Sequence, residues 1–280
     1  MWQAVHMKST CHRTNVCLLL CLLWSASAHA WGNVGHRITG LIADSLLSDS
    51  AHRQVQQLLG EETLSVAATY MDTQRAALSQ HWHDSDKWHY DNQGICQQMP
   101  YCADGNCATR QIERFRLLLA DRHASRADRA LALRLLVHML GDIHQPLHMA
   151  DNTDRGGNNI HVRLYAGGER YSLHEVFDTV LVRQLQGAMS IKAYATQLQQ
   201  DYRTQLQQWQ QGNLNDWAAQ SHALAGQAVY GHLPGFACQH RDDMTVTLPD
   251  SYVRDAKRFI PEQLAKAGAR IAYVLNRTLT

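Results

Sequence analysis

The sequence predicts an all-α protein: a single, mainly helical domain carrying a small β-hairpin. Three observations support this. Apolar residues recur at helical spacing through most of the chain. Only one segment alternates with a period of two. No repeat, low-complexity tract or linker divides the chain, although 280 residues would allow one or two domains. An apolar content of 45% suffices for an ordinary core and argues against disorder. Lys+Arg 26 against Asp+Glu 25 leaves a net charge of +1, which excludes a strongly basic protein that grips nucleic acid by charge alone. The unusual figure is 17 histidines against ten tyrosines and four phenylalanines, because histidine is the commonest metal ligand and the usual general base.

The first thirty residues read as a cleavable signal peptide, leaving 31–280 as the folded domain. Lys8 and Arg13 precede the apolar run Cys17–Trp24, and Ala28-His-Ala30 follows it, so cleavage is expected after Ala30. The run is too short to span a membrane. Met7 is an alternative start that would give a leader of more ordinary length. A lipoprotein anchor at Cys21 is disfavoured by the bulky Leu20 before it. Without the leader, 24 basic and 25 acidic residues remain, for a net charge of −1, together with 14 histidines. Cys96, Cys102, Cys107 and Cys238 also remain. Four cysteines in an exported chain imply two disulfides, with three possible connectivities. A cysteine-based zinc site is the weaker reading, since no Cys-x-x-Cys pair exists.

The helices follow in order. Gly35 to Leu47 places Ile38, Leu41, Ile42 and Leu46 on one face. Ala108–Asp121 and Asp128–Leu140 carry apolar stripes, and Gln145-Pro146 should end or kink the second of these. Leu173–Gln186, Ala193–Gln211, Leu214–Tyr230 and Ser251–Leu279 complete the helical set. The strand candidate is Asn159–Tyr165, which alternates Ile160, Val162 and Leu164 and closes at Gly167-Gly168. Cys96–Cys107 reads as a stapled loop.

Candidate ligands come in pairs at helical spacing. His138 and Asp142 lie four apart, hence on one helix face, and His174 and Asp178 repeat the device. His148 follows just beyond Pro146. A neutral imidazole and a carboxylate converging from one face suit Zn²⁺. Upstream, Asp72 follows Ala67-Ala-Thr-Tyr-Met, His89 sits among aromatics in Lys87-Trp-His-Tyr90, and His36 lies five residues after Trp31, the expected mature N-terminus. A free terminal amine titrates near pH 8 and can chelate a metal together with its own carbonyl oxygen. For any single one of these residues, the alternative is a satisfied core histidine or a solvated aspartate.

The order Trp31-Gly-x-x-Gly-His36, Asp72, Trp-His89-Tyr, His138-x3-Asp142-Ile-His-Gln-Pro-Leu-His148, Gly156-Gly-Asn158 and His174-x3-Asp178 resembles the S-one/P-one nuclease family. This family comprises three-zinc single-strand nucleases, including mung bean nuclease and the plant bifunctional nucleases. The resemblance covers the whole of 31–280. It implies a fold like that of the zinc-dependent phospholipase C and nuclease group, three Zn²⁺ per chain and nine ligand residues. Asp72, His89, His138 and Asp142 would hold one zinc. The Trp31 amine and carbonyl, His36 and the other oxygen of Asp142 would hold a second. His148, His174 and Asp178 would hold the third, with positions left open for water and phosphate. Asp72 and Asp142 thereby enter catalysis as ligands around the attacking water.

Further roles are implied by the same resemblance. Arg75 would contact the scissile phosphate. Gly157 and Asn158 would form the base-binding loop, here one residue longer at Asp151–Arg155, and Tyr90 could stack a base. The family's auxiliary acid falls on Asn92, with Asp91 one place early, so which of the two serves is open. His144 is expected to support the ligands from behind. The implied disulfides are Cys96–Cys238 and Cys102–Cys107. The implied reaction breaks P–O3′ bonds of single-stranded DNA and RNA, leaving 5′-phosphates, and removes the phosphate of 3′-mononucleotides. We expect a secreted or periplasmic monomer without stable membrane association. Two other classes compete: a zinc-dependent phospholipase C and a non-enzymatic exported zinc-binding protein. The Trp31–His36 spacing and the Gly156-Gly-Asn158 loop favour the nuclease over the first. The mixed His/Asp set with open positions disfavours the second.

Overall fold

The computed structural model describes residues 31–96, 102, 104–238 and 245–280. The expected leader, 1–30, lies outside these residues, as does much of the stapled loop. The chain opens with helix α1 (Asn33–Ser45) and α2 (Asp49–Leu59). The Ser48 hydroxyl accepts the Ala51 N–H at 3.2 Å and starts α2, and Gly60, at φ +66°, ends it. Short helices α3 (Leu64–Ala67), α4 (Tyr70–Thr73) and α5 (Arg75–His81) follow, then a 3-10 turn at Ser85–His89. None of these was predicted, because four to seven residues cannot display a helical period.

Helix α6 (Ala108–Ala120) matches its prediction, and α7 runs Arg126–Asp142. Ser125 caps α7 by accepting the Asp128 N–H at 3.0 Å. Every residue of α7 from Leu135 to Asp142 is buried, as expected of a central helix with little amphipathic contrast. It stops four residues before Pro146, whose ring would clash with the Asp142 carbonyl in a continued helix. The chain then makes a 3-10 turn at Pro146–His148.

The predicted run Leu173–Gln186 is helical throughout, but in three pieces: α8 (Leu173–Glu175), a π-turn at Val176–Val180 and α9 (Leu181–Gln186). The single helix predicted over Ala193–Gln211 is instead α10 (Ile191–Asp201) and α11 (Leu206–Trp209). The break lets Leu206 and Trp209 turn onto Ala265 and Ala269 of the last helix. α12 (Leu214–Leu224) begins at a capping box of Asn213 and Asp216 and continues as a second π-turn, Ala225–Tyr230. α13 (Asp250–Thr278) closes the fold.

The β-content exceeds the single hairpin predicted. β3 (His161–Arg163) pairs antiparallel with β4 (Tyr171–Ser172), and β5 (Thr245–Thr247) adds to its other edge in parallel, with Val162 opposite Val246. β3 is shorter than the predicted Asn159–Tyr165, because Asn159 and Ile160 donate to the Asp154 and Gly157 carbonyls and belong to a turn. A separate parallel ladder joins β1 (Gln93–Gly94) to β2 (Ala150–Asp151) and fixes the chain beside His89 next to the chain beside His148.

Two apolar clusters hold the helices. One surrounds α7 with Leu64, Met71, Trp88, Phe115, Leu133, Leu136 and Leu275. The other joins Trp31, Ile38, Ile42, Phe177, Ile260 and Leu264 between α1, α9 and α13. α1 and α13 cross closely: a Cβ on Gly268 would stand 2.5 Å from the Ile42 side chain. Cys96–Cys238 and Cys102–Cys107 are both bonded, the pairing expected, at sequence separations of 142 and 5. The first closes most of the domain into a loop. A Cys96→Ser, Cys238→Ser double variant is therefore expected to lose about 3–5 kcal/mol of stability, read as a lower denaturant midpoint at unchanged m. A midpoint within error of the parent would show that the bridge constrains little.

Candidate metal centre

Seven of the nine residues expected as ligands sit within one turn of a helix end, where the chain changes direction. His36 lies in the first turn of α1, Asp72 on α4 and His89 at the end of the 3-10 turn. Asp142 is the last residue of α7, His148 ends the next 3-10 turn, and His174 and Asp178 span α8 and its π-turn. His138 is one turn inside α7. Three side-chain groups result, each with ligand atoms mutually within 4.8 Å: His36, His138 and Asp142; Asp72, His89 and His138; His148, His174 and Asp178.

The first two groups share the fully buried carboxylate of Asp142. Its Oδ1 faces His36 Nε2 at 3.2 Å, and its Oδ2 faces His89 Nδ1 at 3.0 Å and His138 Nε2 at 3.4 Å. The two oxygens thus point to different sets of imidazoles, the arrangement a bridging carboxylate requires. Asp72 Oδ1 stands 3.9 Å from His138 Nε2. The His36 and His138 rings stack at 3.9 Å. This packing needs Gly141, whose Cβ, if it had one, would lie 3.1 Å from His36 Nδ1. Trp31 is fully buried, and a Cβ on Gly32 or Gly35 would meet Thr179 Oγ1 at 2.3 Å or the Trp31 side chain at 2.9 Å. The two glycines of Trp31-Gly-x-x-Gly therefore permit close packing around Trp31. Gly32 also donates its N–H to the Asp178 carbonyl at 2.8 Å, tying Trp31 to the third group.

In that group His148 Nδ1 donates to the His89 carbonyl, and His174 Nδ1 to the Gly156 carbonyl, both at 2.6 Å. Each Nε2 is then left as a lone pair. The two Nε2 atoms face each other at 3.1 Å, with Asp178 Oδ2 at 3.1 Å from His174. His138 Nδ1 is likewise committed to the Ala68 carbonyl at 2.7 Å. Converging lone pairs repel unless a cation lies among them. The buried Oδ1 of Asp142 and Oδ2 of Asp178 accept no hydrogen bond, an arrangement that would be costly without a cation to coordinate. Burial, and next the charge of Asp72, pushes the Asp142 carboxyl well above its usual range, and burial raises Asp178. Burial drives His148 well below its usual value. Burial also opposes charge on His174, but Asp178 outweighs it and raises that group. The donor set fits divalent metal ions.

Two of the groups reach a cleft of about 390 Å³, one through His89 and one through His148 and His174; Arg75, Asp86, Tyr90, Asn92, Leu147, Arg155 and Asn158 complete its lining. Arg75 donates Nε to Asp86 Oδ1 at 2.7 Å, which fixes its guanidinium at the wall of the cleft. Asn92, held at φ +46°, faces the cleft. Asp91 instead turns inward and accepts the Thr109 N–H and hydroxyl at 3.1 and 2.9 Å, anchoring the start of α6. Asn158 lines the cleft while its Nδ2 donates to the Arg155 carbonyl at 2.8 Å. Gly157 is buried beneath it, at φ +80°, and its carbonyl accepts the His174 N–H. It shapes the loop and is not among the cleft residues. The His144 ring nitrogens are both engaged away from the ligands, donating to the Leu140 carbonyl at 2.7 Å and accepting from Arg270 at 3.0 Å. His144 therefore braces the end of α7 against α13. Asp86 and Arg155 were not singled out from sequence. A lone acid three residues before His89 and a lone arginine before two glycines carry no periodic or motif signal.

The loop carbonyl that orients His174 yields a test. Gly156 has φ +61°, and a Cβ there would lie 2.5 Å from the Leu147 carbonyl oxygen. Gly156→Ala should cost about 1–3 kcal/mol of stability and weaken metal binding by the His148, His174 and Asp178 group about tenfold, read by metal titration. Undiminished affinity would show that the carbonyl does not set the ring.

Comparison with known proteins places this geometry. The family described as S1/P1 Nuclease matches residues 31–280. Nuclease S1 of Aspergillus oryzae is 29% identical over 275 residues, covering 89% of this chain and 91% of that protein. Endonuclease 2 of Arabidopsis thaliana is 27% identical over 288 residues, covering 95% and 97%. Nuclease P1 of Penicillium citrinum is 29% identical over 272 residues, covering 88% and 97%. The match spans every clustered histidine and aspartate, and the chain belongs to the S1/P1 nuclease family.

Proposed function

We propose that this protein is an exported zinc-dependent endonuclease. It hydrolyses P–O3′ bonds of single-stranded DNA and RNA to 5′-phosphorylated products and removes the phosphate of 3′-mononucleotides. Membership of a nuclease family already makes it a hydrolase of nucleic-acid phosphodiesters. The observation that carries the finer reading is the clustering of three His/Asp groups, two of which reach through His89, His148 and His174 into a cleft that also holds Arg75.

The donors are neutral imidazole nitrogens and carboxylate oxygens, a set that suits zinc better than magnesium or calcium. Asp72, His89, His138 and Asp142 are assigned to one ion, the Trp31 amine and carbonyl with His36 and Asp142 to a second, and His148, His174 and Asp178 to the third. When bound, such ions supply positive charge to a developing phosphorane and make water acidic enough to act at neutral pH. Arg75, steadied by Asp86, presents a fork of donors to a phosphate. Tyr90 offers a ring for base stacking, and the Asn92 and Asn158 amides offer hydrogen bonds to a base edge. A base must leave its stack to reach them, which is easier in a single strand than in a duplex. The leader pattern over 1–30 and the two disulfides support export, and cleavage after Ala30 would free the Trp31 amine. The assigned chain acts as a monomer.

The test is to incubate the purified exported form with single-stranded DNA, RNA, a 3′-mononucleotide and phosphatidylcholine. Nucleotide release with 5′-phosphate ends, abolished by a chelator, is expected. Release of phosphocholine without nucleotides would overturn the reading in favour of a phospholipase. Metal analysis of the same preparation should give about three zinc per chain. Asp142→Asn removes a carboxylate shared by two ions and should lose more zinc than His174→Ala. A chain with one extra residue before Trp31 should fall to about two. A full zinc complement in that form would refute the terminal-amine ligand.

A further inference from the structure

The cleft holds two arginines in different states. Arg75 is tied to Asp86. Arg155 is exposed, and its guanidinium makes no hydrogen bond or ion pair among the described residues. Its backbone, by contrast, is firmly held. Arg155 has φ +59°, a conformation that residues other than glycine seldom adopt and that persists only where the surroundings impose it. Its carbonyl accepts both the N–H and the Nδ2–H of Asn158, at 3.3 and 2.8 Å. On either side, two buried carboxylates clamp the loop. Asp151 Oδ1 accepts the Asp154 and Gly156 N–H groups at 3.0 and 3.1 Å. Asp154 Oδ1 accepts the Gly157 N–H at 2.7 Å and the Tyr230 hydroxyl at 2.8 Å. The loop is thus a rigid mount with one free cation at its tip. Arg155 and Arg75 both line the cleft together with Tyr90, the residue assigned to base stacking.

A guanidinium without a protein partner, on a preorganised loop beside an anion-binding cleft, is suited to a phosphate. The phosphate being cleaved already has Arg75. We propose that Arg155 binds a second backbone phosphate of the substrate strand, adjacent to the one being cleaved, so that it favours polynucleotide over mononucleotide substrates. This rests on the nuclease reading above and adds a phosphate subsite to it.

The experiment uses zinc-loaded enzyme with an oligothymidylate and with 3′-thymidylate, across a range of NaCl concentrations. For Arg155→Gln the oligonucleotide KM should rise about tenfold with kcat within about twofold, while the KM for 3′-thymidylate rises less than about twofold. The slope of log KM for the oligonucleotide against log salt should become shallower by about 0.7, the value for one phosphate contact on a single strand. Arg155→Lys, which keeps the charge, should restore the slope and part of the KM. An equal rise in KM for both substrates would assign Arg155 to the scissile phosphate and overturn the proposal, as would wild-type values for both. Wild-type enzyme that cleaves neither substrate would overturn the nuclease reading itself, a result distinct from either.

Discussion

The buried carboxylate of Asp142 is the group around which the rest of the structure is arranged. It ends the central helix, has no exposure to solvent and faces three imidazoles from three different chain segments. Burial makes its ionised form unfavourable in the bare polypeptide, and the lone pairs of the surrounding rings point inward as well. A cation among these donors would offset the cost of burying that charge. The polypeptide folds into a set of donors that could hold metal ions. The near-neutral net charge of +1 therefore describes the bare chain. Divalent ions held among the His/Asp groups would concentrate positive charge beside the cleft where an anionic substrate must lie.

Backbone irregularities make this possible. Pro146 stops α7 at Asp142 and turns His148 back toward His89, whose carbonyl accepts its ring proton. The π-turn at Val176–Val180 places Asp178 beside His174 and Gln145, whose amide donates to Asp178 Oδ1 at 2.6 Å. Such turns interrupt helices most often at functional positions. The second π-turn, Ala225–Tyr230, delivers the Tyr230 hydroxyl to Asp154 beneath the cleft loop. Glycines do the complementary work. Gly141 makes room for the His36 ring, and Gly156 lets a loop carbonyl reach His174.

A separate polar network secures the end of α7 from behind. Arg270 of α13 is buried and donates to the Trp209 carbonyl, Gln220 Oε1 and His144 Nε2, while lying 5.0 Å over the Trp217 ring. With mostly neutral partners, burial lowers its pKa to about 10. His144, pulled well below its usual pKa by burial and next by Arg270, stays neutral and accepts that bond. One of the histidines that made the composition unusual therefore does structural work, and its position two residues from Asp142 keeps the metal-facing helix end from fraying.

Sequence alone determined the helical class, the pairs His138/Asp142 and His174/Asp178, and an even set of four cysteines within 31–280, because periodicity, four-residue spacing and parity are local properties of a chain. Asp72, His36 and His89 could be assigned only through family resemblance, since no local pattern links residues 36, 72 and 89. The tertiary structure decided what depends on segments meeting. It showed that Asp142 divides its oxygens between His36 and the His89/His138 pair. It placed Asn92 at the cleft and Asp91 against Thr109, anchored Arg75 on Asp86, and set Arg155 unpaired at the tip of a clamped loop. Helices of four to seven residues, π-turns and positive-φ positions leave no period to read. They exist because packing and buried hydrogen bonds impose them, and those forces act between residues far apart in the chain.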